Sequence, residues 1–389
     1  MLTKITNAKI VLPDGVVFGS VIARDGIIED VFKGNCCEAV ACDEVVDAEG
    51  GYLLAGFIDL HCHGGFGFDF MESTPEQIHN IERFHLSHGT TTLVATTLTD
   101  EWQYIEAALE NIGKALENPI ILHGAHLEGP WFSPSQCGAQ SVETMCLPSP
   151  EKLADIVERF PFVERFSLAP EIDLNFATVK KGIELGRVIA LGHTDADFDT
   201  TIASIDNGYT LATHLYSGMR GVIRVNAYRV AGAVEACLYD DRIVTEVIAD
   251  GKHLPAGLLK LIYKCKGADN ICLITDAMCC SGFADGETAI LGRKASGNIC
   301  IIEDGVAKLP DRTAFAGSIA STDRLLRTMV NLAGIPISEV SKMLSPTPAR
   351  VMGYNDRGRI ERGLRADFVI MNDALEVTSV ILGAKVQEF

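Results

Sequence analysis

Two histidines one residue apart end an apolar run at Asp59-Leu60-His61-Cys62-His63-Gly64. The preceding stretch, 52–58, reads as a buried strand. On an extended chain, side chains at i and i+2 share a face, so both imidazoles can reach one metal ion. Asp59 could orient a ligand from behind. A lone strand-end histidine is more often a hydrogen-bonded structural residue than a ligand. Here, though, suitable residues recur where other strand-like stretches stop: Glu128 before Gly129-Pro130, His193 in Gly192-His193-Thr194, His214 in Thr213-His214-Leu215, and Asp276 in Thr275-Asp276-Ala277. Four imidazoles and two carboxylates form a nitrogen and oxygen donor set suited to zinc or another divalent first-row metal. The chemistry of such a centre is hydrolysis, with bound water brought from a pKa of about 15.7 toward 7.

For these residues to meet, the segments carrying them must lie side by side. Candidate buried strands are 53–60, 90–96, 120–127, 165–169, 188–192, 210–214, 243–249 and 271–275. Segments with helical spacing of apolar residues, 75–88, 101–117, 151–159, 175–186 and 255–265, lie between most of them. The alternation predicts an α/β fold, a (β/α)8 TIM barrel over residues 51–345 with its site at the C-terminal strand ends. A doubly wound sheet is the alternative, weakened by the lack of a Gly-x-Gly-x-x-Gly or P-loop motif. Residues 1–50 and 346–389 alternate short strands and turns and predict a small β-sandwich domain, antiparallel in its N-terminal part, built from both chain ends. Two long connections, 215–240 and the Gly-rich, turn-rich 277–317, are placed to shape specificity. A helix is expected at about 322–332, with Ser321 or Ser318 as N-cap.

Of 389 residues, 47% are hydrophobic and 22% charged, which excludes a disordered chain. The formal net charge of -19 argues against a nucleic acid or an anionic membrane as partner. No export signal and no apolar run of spanning length is evident. The 12 cysteines, including the adjacent pairs Cys36-Cys37 and Cys279-Cys280, therefore read as reduced thiols of a cytoplasmic protein. No Cys-x-x-Cys occurs, and alternation turns Cys62 away from its histidine neighbours, as a small buried hydrophobe. His79, His85 and His88 fall in a helix as surface or packing residues, and His123 gains no support as a ligand. His126 shares the face of Glu128 and is expected behind the site.

The motifs Asp59-Leu60-His61-Cys62-His63-Gly64-Gly65, His126-Leu127-Glu128-Gly129-Pro130, Gly192-His193-Thr194, Thr213-His214-Leu215-Tyr216, Ala249-Asp250-Gly251-Lys252-His253 and Thr275-Asp276-Ala277-Met278 occur in this order. Together they resemble the N-acetylglucosamine-6-phosphate deacetylases of the amidohydrolase superfamily over nearly the whole chain. The resemblance implies a cytoplasmic hydrolase, commonly a homodimer, acting on N-acetyl-D-glucosamine 6-phosphate to give D-glucosamine 6-phosphate and acetate. It makes Glu128, His193 and His214 the principal metal ligands. Because His61 and His63 are both kept, it implies a site able to hold one or two ions. Zinc is expected, with Fe2+ or another first-row metal as the alternative. Glu128 would lie between the ions and Asp276 beside the one at His61 and His63. Asp276 fits the general base that takes the water proton and returns it to the departing amine. His253 resembles the family's substrate-contacting histidine, and Ala316-Gly317-Ser318 its substrate loop.

This sequence departs from the family where substrate is read. Gly138-Ala139-Gln140 stands where a Gly-Ala-His is common, and Gln140 can donate a hydrogen bond but cannot carry a proton. Ser217-Gly218-Met219 replaces Asn-Ala-Met. Asn226-Ala227-Tyr228-Arg229 replaces Arg-Glu-Pro-Gly, so Asn226 falls at the phosphate-binding arginine. Arg220, Arg224, Arg229 or Lys252 could supply that charge, or a partner subunit could. Ala139, Gln140, Ser217, Gly218, Asn226, Arg229, His253, Ala316, Gly317 and Ser318 are thus the expected substrate contacts. A galactosamine epimer, an unphosphorylated sugar or another N-acyl amine remains an alternative substrate. A cyclic-amide or deaminase-type enzyme would often carry a carbamylated lysine at the end of strand four, where Ala169-Pro170-Glu171 stands. A non-enzymatic scaffold would have lost ligands that this chain keeps.

Overall fold

The computed structural model describes residues 1–34 and 40–388, so the Cys36-Cys37 pair lies outside the described residues. The eight expected barrel strands form as Phe57–Cys62, Thr90–Thr97, Leu122–Glu128, Val163–Leu168, Val188–Leu191, Leu211–Ala212, Val244–Ile248 and Ile271–Ile274. Each pairs in parallel with the next. The ring closes between the eighth and the first. The Asp276 amide donates to the His61 carbonyl at 2.9 Å, and Cys62 bridges Ala277. Strands buried on both faces explain the near-continuous apolar runs in the sequence.

Helices Pro75–Ser87, Trp102–Ala115, Pro150–Arg159, Ala177–Glu184, Phe198–Asp206, Ala233–Tyr239 and Ala256–Lys266 alternate with these strands. The first begins where Thr74 caps the Gln77 amide, Gln77 returns the bond, and Pro75 supplies a fixed φ. Ile78, Ile81, Ile105, Leu109 and Ile112 join Leu93, Ala95, Leu122 and Leu168 in one core. The helix expected from 175 begins instead at Ala177, because Asn175 and Phe176 adopt left-handed φ of 56° and 55°. Near 322 the helix is α over Thr322–Arg327 and π over Thr328–Leu332. Ser321 precedes it without capping, since its hydroxyl donates to Asp323.

The run expected as one strand, 53–60, is two. Tyr52–Ala55 pairs with Leu2–Leu12 and Phe368–Met371, whereas Phe57–Cys62 enters the barrel. Between them a Cβ on Gly56 would fall 2.0 Å from Thr91 Oγ1, so glycine is needed where the chain changes sheets. The small sheet therefore extends past residue 50 to Ala55. It contains Leu2–Leu12, Gly15–Arg24, Ile27–Lys33, Glu44–Asp47, Tyr52–Ala55, Phe368–Met371, Val377–Leu382 and Lys385–Val386. Both chain ends do meet in it. It is one mixed sheet, with parallel pairs from Leu2–Leu12 to Glu44–Asp47 and to Tyr52–Ala55. It folds over its own core of Ile5, Ile10, Val21, Leu53, Phe368 and Ile381, and the Ala366 amide closes onto the Gly26 carbonyl at 2.8 Å. Helix Pro346–Met352, beyond the expected barrel limit of 345, packs Ala349 with the barrel residues Ile58, Cys272 and Ile274.

The connection 277–317 is more ordered than its turn-rich sequence suggests. Strands Thr288–Ile290, Ile299–Glu303 and Val306–Lys308 form an antiparallel sheet over Cys280, Leu291, Cys300 and Ile302. In 215–240, Ile223–Val225 and Tyr228–Val230 make an exposed hairpin. Among the described residues, no helix is long and apolar enough to cross a membrane.

Candidate active site

The six residues singled out at strand ends converge. Glu128, last in its strand, is fully buried. Its Oε1 lies 2.9 Å from His214 Nε2 and 3.4 Å from the Nε2 atoms of His193 and His61. Its Oε2 lies 3.3 Å from His63 Nε2. Asp276 Oδ1 sits 3.4 Å from His61 Nε2 and 3.2 Å from His63 Nε2. Two overlapping groups could therefore hold a cation, His61 with His63 and Glu128, and Glu128 with His193 and His214. His193, His214 and Asp276 have left-handed φ of 46°, 28° and 48°, a conformation that non-glycine residues keep only where surrounding structure enforces it.

The groups behind the imidazoles test the fit of a metal ion. His193 Nδ1 faces the Gln136 carbonyl at 2.8 Å, and His214 Nδ1 the Ser217 carbonyl at 3.1 Å. A carbonyl only accepts, so these Nδ1 atoms carry protons, and in the neutral ring the Nε2 lone pair points at Glu128. His61 Nδ1 likewise donates to Glu246 Oε2 at 3.4 Å. Lone pairs opposed to carboxylate oxygens repel unless a cation lies between them, and the donor set suits such an ion. Protons on His61 and His63 would meet the same demand for positive charge as a metal ion. Burial alone would lower the His61 and His63 pKa values, yet Glu128 and Asp276 raise them to about 9 and about 10. Burial opposes ionisation of Glu128, but His61, His193 and His214 hold its pKa well below the usual range. Asp276 is also lowered, by His63 and His61 against burial.

Arg165 and Glu246, on strands four and seven, support the site although sequence reasoning did not select them. Both are fully buried. Arg165 donates to both Glu246 oxygens, with Nη2 to Oε2 at 2.9 Å, and to the Leu60 carbonyl at 3.1 Å. The available signal was a charged residue inside each strand, Arg165 in Val163–Leu168 and Glu246 in Val244–Ile248. His126 is where expected, edge-on to the His61 ring, bonded to Ser167 at 2.7 Å and held neutral by burial. Asp59 accepts the Thr275 hydroxyl at 2.6 Å and so ties strand one to strand eight. Asp59, Cys62 and His85 form a third group of ligand types. Its atoms are already engaged: Cys62 Sγ lies 3.1 Å from His85 Nε2, whose proton goes to the Gly64 carbonyl at 2.9 Å.

A cavity of about 420 Å³ opens beside Glu128, His63, His193, His214 and Asp276. Of the expected substrate contacts, Ala139, Gln140, Ser217, Gly218, His253, Ala316 and Gly317 line it. Three do not. Asn226 and Arg229 sit on the exposed hairpin, outside this chain's own cavity lining. Ser318 is buried behind Asp276: its hydroxyl donates to the Thr275 carbonyl and its amide to the Asp276 carbonyl at 2.9 Å. Arg220, Arg224 and Lys252 are also missing from the lining. Among the described residues its one lysine or arginine is Arg293, delivered by the 277–317 connection. Arg293 is held by Asp100, Nε to Oδ2 at 2.6 Å, and stacks 3.3 Å from the Tyr104 ring centre.

The amidohydrolase family model matches residues 52–386. An N-acetylglucosamine-6-phosphate deacetylase of Lysinibacillus sphaericus is 30% identical over 374 residues, 94% of this chain and 92% of that one. An N-acetylgalactosamine-6-phosphate deacetylase of Escherichia coli O157:H7 is 29% identical over 89% of this chain and 90% of its own. A solved N-acetyl-D-glucosamine-6-phosphate deacetylase variant from Mycobacterium smegmatis, in complex with N-acetyl-D-glucosamine-6-phosphate, superimposes with a TM-score of 0.90 at 28% identity, covering 99% of this chain and 98% of that one. The matched span runs from the last N-terminal strand of the small sheet, through every residue from His61 to Asp276, to the final strand pair, and the chain belongs to the amidohydrolase family.

Proposed function

We propose that this chain is a metal-dependent deacetylase that hydrolyses the acetamide of N-acetyl-D-glucosamine 6-phosphate to D-glucosamine 6-phosphate and acetate. One observation carries the reading: Glu128 lies among four imidazoles, with Asp276 facing two of them, beside a cavity large enough for a sugar. Glu128, His193 and His214 would hold one divalent ion, and His61, His63 and Glu128 a second beside Asp276. Zinc is the proposed metal, with Fe2+ as the alternative. Bound there, the metal supplies a water activated near neutral pH and a polarised amide carbonyl. Asp276, kept ionised by its histidine neighbours, accepts the proton of the attacking water. It returns that proton to the amine nitrogen, which leaves poorly unless protonated. His253, oriented by an Nδ1 bond to Asp250 at 2.8 Å, lines the cavity for a substrate oxygen.

The phosphate needs a cation. Arg293 is engaged by Asp100, so the charge is proposed to come from the exposed hairpin of a second copy, which carries Arg224 and Arg229. This reading makes the enzyme a homodimer, and the described cysteines, all free thiols, suit the cytoplasm. A galactosamine epimer is the second reading, because relatives of both names align at nearly equal identity. Acetate release by zinc-loaded protein decides, using N-acetylglucosamine and N-acetylgalactosamine, each with and without a 6-phosphate. Strong preference for the phosphorylated glucosamine compound is expected. Preference for the galactosamine compound selects the second reading, and hydrolysis of none refutes both.

A further inference from the structure

Gln140 lines the cavity with both ends of its amide occupied by protein. Its Oε1 accepts the Thr99 backbone N–H at 2.8 Å. A backbone amide only donates, so the side-chain NH2 must face the other way. It donates to Glu128 Oε2 at 2.5 Å. That oxygen is the one facing His63, whereas Oε1 faces His214, His193 and His61. A carboxylate free to turn about its last bond could give both oxygens to the ion at His193 and His214. One pinned through Oε2 cannot.

We infer that Gln140 is a positioning residue for Glu128, holding Oε2 toward His63 so that the His61 and His63 side of the centre keeps its ion. The inference rests on the two-ion reading above. It assigns Gln140 to the carboxylate rather than to the acyl group of the substrate, with Thr99 as the fixed point from which the amide is aimed. Groups that orient a metal ligand from behind commonly change ion affinity 10- to 100-fold when removed. The effect here is directional, falling on one ion and sparing the other.

The test is a chelator-buffered zinc titration of metal-stripped protein, read as zinc bound per chain. It compares wild type with Gln140→Met, which keeps the volume and removes the donor, and with Gln140→Ala as a second variant. Each is also made in a His61→Ala, His63→Ala background, which leaves only the other ion. Wild type is expected to bind two zinc ions. Gln140→Met should weaken one of them about 10- to 100-fold, leave binding in the double-alanine background unchanged, and lower kcat with little change in KM. Unchanged affinity for both ions, with a raised KM, makes Gln140 a substrate contact and overturns the inference. Equal weakening in the double-alanine background overturns it too. A wild type that binds one zinc or none refutes the two-ion reading itself, so the two failures are told apart.

Discussion

Replacing Glu246 by glutamine tests whether the barrel interior is built to support His61. Arg165 and Glu246 are both fully buried and joined through two N–H···O bonds, and Glu246 also accepts a hydrogen bond from His61 Nδ1. Burial would raise the Glu246 pKa, but Arg165 and His61 bring it down to about 2, so it is ionised at any working pH. Glutamine keeps the volume and one acceptor but removes the charge, leaving a guanidinium without a counter-charge in the core. Breaking a buried pair from one side costs about 3–5 kcal/mol. The retained acceptor places this variant near the lower end, about 3 kcal/mol. Urea unfolding of the metal-free protein, followed by fluorescence of buried Trp131, reads that loss. Removing both charges, as Arg165→Met with Glu246→Leu, should restore most of the stability because no unpaired ion remains. It should nevertheless lower zinc affinity about 10- to 100-fold, since leucine leaves His61 Nδ1 without an acceptor. A single variant that loses under about 1 kcal/mol, or a double variant as unstable as the single, would refute the reasoning.

Four other outcomes are expected. Asp276→Asn should lower kcat by about 10²- to 10⁴-fold with KM nearly unchanged, and wild-type turnover would remove Asp276 from the proton path. Gly218→Ala places a Cβ 2.9 Å from His193 Nδ1 and 3.0 Å from the Gln136 carbonyl it bonds, at a φ of 55°. Zinc titration should show the His193 and His214 ion weakened about tenfold or more. Stripping the metal should abolish acetate release and lower the urea midpoint, and restoring zinc should recover both. Burial holds His85 near pKa 4, with the Gly64 carbonyl opposing, against 6.5 in an unfolded chain. The unfolded state therefore takes its proton first. The stability His85 contributes is full above pH 6.5 and falls away toward pH 4, by roughly 3 kcal/mol. Urea midpoints at pH 7 and 4.5 should differ less in His85→Gln than in wild type.

The barrel was legible because its strands announce themselves locally. Residues 53–60 and 271–275 are largely apolar stretches of strand length, and His61, His63 and Asp276 directly follow them, so ligands could be read from strand ends. The break at Gly56 was not legible, since Tyr52–Ile58 reads as one apolar run and the tertiary clash with Thr91 marks the change of strand within it. Arg165 and Glu246 were hidden differently. Arg165 follows Glu164 in its own strand, and nothing in the sequence shows that its partner is Glu246 on a distant strand.

Substrate contacts were harder to place than ligands for a geometric reason. A ligand at a strand end is positioned by the barrel, so its residue number nearly fixes its place. A loop residue is positioned by what the loop packs against. Ser318 looked like a substrate contact, yet hydrogen bonds turn it onto the backbone of Thr275 and Asp276. Arg293 was one residue of a Gly-rich connection expected to shape specificity, and the three-stranded sheet formed there carries it to the cavity. Gln140 belongs to both classes: it arrives on a loop, but its amide is aimed by Thr99, which follows the end of barrel strand two. The departures from the family pattern, at Gln140, Ser217 and Asn226, all lie in loops, while the residues around Glu128 keep their types. Substitution at such positions can alter which N-acyl amine fits, or how firmly one ion is held, without rebuilding the strand ends that carry the hydrolysis.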